Sequence, residues 1–156
     1  LPDIQKISKK KGLLGKIKKK LHIGDFDESE LKEWVLAKKQ YFVELVDLLK
    51  KRNPGIDIFH GSLVEFMNWL THQRCLIAPD SMAGHLAALV GIPVISIFGS
   101  QSPELTRPIG EDVRVIAPEK ACIHRRSHWR LCYYCMKSVS PKRVFSELKN
   151  TVPLNK

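Results

Sequence analysis

No stretch of this chain is long and apolar enough to cross a bilayer. The longest candidate, Leu86 to Phe98, falls short of the roughly 20 residues a spanning helix needs and is broken by Gly91 and Pro93. Cysteine is scarce, four in 156 residues, which argues against a disulfide-stapled secreted scaffold and for a reducing, cytoplasmic setting. The N-terminal residues hold lysines with no apolar segment behind them, so no secretory signal is expected. The first residue is Leu rather than Met, as expected of a fragment or a processed chain. Apolar residues themselves are not lacking: at 44% hydrophobic, the composition excludes a disordered chain and supports one real core.

Acidic residues are in deficit, 16 against 26 lysines and arginines, for a net charge of +10. The excess is concentrated. Residues 1–20 hold eight lysines and one aspartate, and the remainder is only mildly basic. Within the arm, Leu13, Leu14, Ile17 and Leu21 recur at helical spacing among the lysines. Three readings stand for residues 6–21: a solvated lysine-rich arm, a helix lying on an anionic membrane surface, or a nucleic-acid contact. The expected organisation is a basic arm over residues 1–24 followed by one domain over 25–156.

Beyond the arm, Asp27 and Glu30 have capping-box spacing. Leu31, Trp34, Val35, Tyr41, Phe42, Leu45, Val46 and Leu49 then follow helical periodicity, predicting an amphipathic helix to about Lys51. "IDIF", residues 56–59, reads as a short strand. Ser62 and Glu65 form a second capping box, opening a helix to about residue 72 whose inner face is Leu63, Phe66, Met67 and Leu70. "CLIAP" reads as a strand buried on both faces, and Asp80-Ser81 as the cap of a helix ending near Gly91. "PVISIF" and "VRVIA" are further strands. Ser140-Pro141 opens a C-terminal helix with Val144, Phe145 and Leu148 inward. Strands alternating with helices predict a Rossmann-like α/β fold, a parallel sheet of four strands with helices on both faces.

In such sheets ligands settle beyond the carboxyl ends of the strands, where strand order reverses. Three predicted strand ends carry small or polar residues: His60-Gly61-Ser62, Pro79-Asp80-Ser81 and Gly99-Ser100-Gln101-Ser102. The first two run into helix N-termini, whose unpaired N–H groups suit a phosphate. His85, four residues after Ser81, lies on the same side of that helix, within reach of a diphosphate or a sugar hydroxyl. Arg107 is a separate candidate phosphate contact. On spacing alone Asp80 and Ser81 are equally well explained as ordinary caps, and His85 as a partly buried surface residue.

The pattern D-S-x-x-x-H-x-A-A-x-x-G-x-P-x-x-x-x-F-G-x-x-x-P runs from Asp80 to Pro103. It resembles the bacterial lipopolysaccharide heptosyltransferase family, glycosyltransferase family 9, as do the upstream Ser62-Leu63-x-Glu65 and the later "CMKSVSPKRVFSEL". The resemblance covers roughly Gly55 to Val152. It implies the C-terminal, donor-binding half of a GT-B glycosyltransferase that uses a nucleotide-sugar, usually ADP-heptose, and inverts without a divalent metal or other cofactor. Carried over by position, Asp80, Ser81, Met82 and Ala83 would meet the sugar and diphosphate, His85 the diphosphate, and Gly61 and Ser62 the base or ribose. The chain departs from the family pattern in three ways. Met82 stands where the family commonly has Gly, and the donor domain's first strand and its phosphate-binding lysine are not recognisable upstream of Asp25. The acceptor domain, with the family's proposed catalytic carboxylate, is not recognisable either. No catalytic base is therefore nominated, and the chain alone is expected to bind donor without transferring sugar.

Two features fall outside that pattern. Cys122, Cys132 and Cys135, with His124 and His128 nearby, are compatible with a zinc site, with redox thiols or with structural cysteines; Cys75 is expected in the core. Arg125, Arg126 and Arg130 with Trp129, Tyr133 and Tyr134 could bind an anionic acceptor, stack a base or form ordinary surface. The leading expectation is a glycosyltransferase donor domain with an anionic glycolipid acceptor, at the inner membrane face and without nucleic acid. The alternatives are a non-catalytic nucleotide-binding module and a small zinc-containing nucleic-acid binder.

Overall fold

A computed structural model describes residues 28–122 and 132–152, leaving aside the side chains of residues 28–31 and 34. The N-terminal arm, the Asp27 cap, His124, His128, the three arginines and Trp129 lie outside the described residues. The elements are α1 (Glu28–Arg52), α2 (Leu63–Leu70), β1 (Leu76–Pro79), α3 (Met82–Leu89), β2 (Val94–Ile97), α4 (Pro103–Thr106), β3 (Val113–Ile116), α5 (Tyr133–Ser138) and α6 (Pro141–Thr151).

Among the described residues the sheet has three parallel strands, ordered β1-β2-β3. Strand β2 is central and wholly buried, which is why "PVISIF" shows no alternation. Side chains nonetheless alternate by face. Ile95 and Ile97 pack with Ile116 against α1, α5 and α6 through Tyr41, Leu45, Leu49, Met136, Val139, Val144 and Leu148. Val94, with Leu76 and Ala78, packs against α2 and α3 through Leu70 and Ala87. Helices thus cover both faces, as expected. Strand order does not reverse among the described strands, so the expected switch point is not found there.

The fourth expected strand, residues 56–59, is irregular. Its backbone is engaged locally: the Ile56 N–H donates to the Asn53 carbonyl at 3.1 Å, and the Ile58 N–H to Asp57 Oδ1 at 2.8 Å. Such bonds compete with a ladder, and a strand exists only by pairing. The outer edge of β1 is consequently unpaired in the described structure. The Leu76 and Asp80 N–H groups bond to Pro93 and Ile97 of the β2 segment, so by alternation Pro79 turns its N–H-less nitrogen outward, where an edge strand tolerates proline.

Helix α3 ends through Gly91, whose φ of +79° disfavours any side chain. Gly84 faces the sheet with Pro108 packed against it: a Cβ there would come 3.0 Å from Pro108 Cγ and 3.7 Å from Val94 Cγ1. Two expected inward residues point out instead. Val35 in α1 and Leu63 in α2 are exposed, because sheet contact begins only at Tyr41 and at Phe66.

Candidate functional site

The carboxyl ends of β1 and β2 carry two loops, Asp80-Ser81 and Gly99 to Ser102, as the sequence suggested. What their side chains do differs from the expectation. Ser81 occupies the N-cap position of α3 in extended conformation, but its hydroxyl makes no capping bond. Asp80 does not cap either. Its Oδ2 accepts from the Thr106 hydroxyl at 3.4 Å, across 26 residues of sequence. The first N–H groups of α3, at Met82 and Ala83, precede any intrahelical acceptor, so this helix start retains donors for an anion. The macrodipole adds about 0.3–1 kcal/mol for a negative group there.

His85 is exposed on α3, and among the described residues no hydrogen-bond partner fixes its ring. Met82 is 61% exposed, so the bulk that departs from the family pattern lies at the surface beside the helix start. Arg107 follows α4 and is exposed. With the Ser102 hydroxyl as the main cause, it helps hold the Glu104 carboxyl below the ordinary carboxylate range.

Ser62 is a true cap. Its hydroxyl accepts from the Glu65 N–H, and Glu65 accepts from the Ser62 N–H at 2.7 Å. The bonds its carboxylate accepts, from the Ser62 N–H first and then from the Ser62 hydroxyl, hold Glu65 below the usual carboxylate range. The Ser62 hydroxyl also donates to Glu65 at 2.7 Å, so a ligand would compete with a formed capping box for it.

Gly61, Ser62, Met82 and Ala83 share one mouth of a cavity of about 810 Å³ that runs along the outer edge of β1, between α1 and α2. Asp80, Ser81, His85 and Arg107 do not line it. Its wall beside Gly61 is aromatic. The Phe59 ring lies 5.1 Å from Phe66 and 5.4 Å from Trp69, and Trp69 Nε1 donates to Asp57 at 3.4 Å. The candidate residues therefore fall into two groups, one at the cavity mouth and one at the β1–α3 turn, adjacent along the chain at Ser81-Met82.

Two residues of this neighbourhood, Thr106 and Lys38, escaped the sequence reading, and Ser100 was named there only as part of a strand end. Thr106 positions Asp80. Lys38 of α1 is held below the ordinary lysine range by burial, an effect offset in part by the charges of Cys132 and Asp80. Ser100, in the loop after β2, has a buried hydroxyl oxygen with no hydrogen-bond partner; such a group costs about 1–3 kcal/mol unless something completes it.

Residues 60–131 match the family model for glycosyltransferase family 9 (heptosyltransferase). No curated protein and no solved structure matches the chain. The family 9 segment contains all three strands, α3, and every one of the eight candidate residues. At the level of the family the chemistry is glycosyl transfer from a nucleotide-sugar to a glycan. No helix among the described residues is long and apolar enough to span a membrane.

Proposed function

We propose that residues 25–156 form the donor-binding half of a GT-B glycosyltransferase, transferring heptose or a related sugar from an ADP-linked donor to a lipopolysaccharide-type acceptor with inversion. One observation carries this reading: within the family 9 segment, an uncapped helix start with available N–H groups stands at the end of β1, next to the mouth of a large cavity with an aromatic wall. In the proposed pose the diphosphate rests on the Met82 and Ala83 N–H groups and the Ser81 hydroxyl, with His85 donating from one turn further along. Protonated His85 would be favoured by the bound anion. Asp80, oriented by Thr106, accepts hydrogen bonds from sugar hydroxyls. The base and ribose enter at Gly61 and Ser62, where Phe59 offers a stacking face. Arg107 reaches the phosphates from the α4 side. Departure of the nucleoside diphosphate is assisted by these donors in place of a divalent metal.

An anionic glycolipid acceptor agrees with the lysine-rich residues 6–21 and with an inner, cytoplasmic membrane face. Thermal-shift measurements with ADP, an ADP-sugar and UDP test the donor assignment. ADP and the ADP-sugar should raise the melting temperature, and His85→Ala should remove most of that rise. No shift with any nucleotide or nucleotide-sugar would overturn the reading.

A further inference from the structure

Outside the strand-end site, one cluster has no part in donor binding. Cys122, on the loop after β3, and Cys132 and Cys135, at the start of α5, bring their three sulfurs within 4.8 Å of one another. None is in a disulfide. Cys132 is 1% exposed, Cys135 6%, and Cys122 is half-buried; with the ring of Tyr133 they form a small cluster separate from both faces of the sheet.

Three thiols gathered this way are an unusual core. An apolar cluster of this size would be better filled by branched aliphatic side chains, and a structural pair of cysteines has no need of a third. The spacing does fit one tetrahedral ion. A Zn–S bond of about 2.3 Å puts neighbouring thiolates about 3.8 Å apart, a small contraction from the observed separation. Sulfurs this close surround a single ion rather than the several irons of a cluster. Cys132-x-x-Cys135 supplies two ligands from one helical turn, and Cys122 the third from across the loop, the short-range-plus-long-range pattern of structural zinc.

We propose that Cys122, Cys132 and Cys135 bind one zinc ion as thiolates, filling three of the four positions of a tetrahedral shell. Binding releases the three thiol protons, Zn²⁺ replacing them on sulfur, and leaves the trithiolate unit with one net negative charge if the fourth ligand is neutral. The consequence reaches the strand ends. Met136, next to Cys135, packs on Gly99 so closely that a Cβ there would lie 3.0 Å from Met136 Cε. The ion would fasten α5 to the loop after β3 and brace the Gly99 loop from behind.

The test is elemental analysis of untagged protein purified under reducing conditions, equilibrated with zinc and desalted. About one zinc per chain is expected, falling at least tenfold in the Cys132→Ser/Cys135→Ser double variant and remaining in Cys75→Ser. Zinc below one-tenth per chain in the unsubstituted protein, zinc undiminished in the double variant, or iron or copper in its place overturns the proposal. Cobalt titration of the unsubstituted protein guards against a variant that merely misfolds. Intense visible bands with thiolate-to-cobalt charge transfer support a tetrahedral sulfur site; weak octahedral absorption alone overturns it. Neither readout depends on nucleotide binding.

Discussion

The two faces of the sheet are built from different material. On the α1–α5–α6 face the filling is large: Leu45, Leu49, Ile95, Ile97, Met136 and Leu148 interdigitate around Tyr41. On the α2–α3 face Leu70, Leu76 and Val94 also pack, but the residues α3 turns to the sheet are small, the buried Gly84 and Ala87, and the Ser96 hydroxyl is buried on the strand beside them. Most of the large face comes from outside the family 9 segment, and nearly all of the small face from inside it. Small residues let α3 approach closely, and a close helix fixes where its N-terminus meets the end of β1. One face holds the domain together, while the other aims the helix.

The comparison can be broken from its heavier side first. Leu49→Ala removes a side chain that is 2% exposed and should cost about 2–5 kcal/mol. Chemical denaturation should show this, with nucleotide affinity of the remaining folded protein unchanged. Gly84→Val should cost less, about 1–3 kcal/mol from overpacking against Pro108, yet abolish the nucleotide-induced rise in melting temperature. If Gly84→Val leaves that rise intact, the distinction between the faces is wrong.

Tyr41 sharpens the large face. Its hydroxyl donates to the Val139 carbonyl at 2.9 Å, tying α1 to the turn between α5 and α6. Tyr41→Phe leaves that buried carbonyl unsatisfied and should cost about 1–2 kcal/mol. Burial also pushes the Tyr41 phenol up to about 12 from 10.0. The unfolded chain then ionises first, so this group's stabilisation is complete below pH 10 and is lost as pH rises from 10 to about 12. The loss over that window should be smaller in Tyr41→Phe. The smallest effect is expected at Ser62→Ala, about 1 kcal/mol from the broken capping box, measured as a lower melting temperature.

Local signals in the chain were legible where the physics is local. The Ser62–Glu65 box, the Ser140-Pro141 start, the Gly91 stop and the unbroken apolar run of β2 each depend on residues within a few positions. The failures share a cause as well. Residues 56–59 have the composition of a strand but no neighbour to pair with. Val35 and Leu63 have the period of an inner face but sit where no sheet lies below. Asp80 and Ser81 look like caps, yet Asp80 turns to Thr106, a partner no spacing rule connects to it. The site was legible as a turn of the chain; its division between a cavity mouth and an uncapped helix start was not.

By itself the sequence determined an α/β chain, the order of most of its elements and the likeness of residues 60–131 to glycosyltransferase family 9, because periodicity, capping and motif spacing are properties of neighbouring residues. Only the tertiary structure decided which strands pair, where Asp80 turns and that Cys122, Cys132 and Cys135 meet. Those outcomes depend on distances between segments far apart along the chain, which packing of the two sheet faces sets and no local pattern encodes.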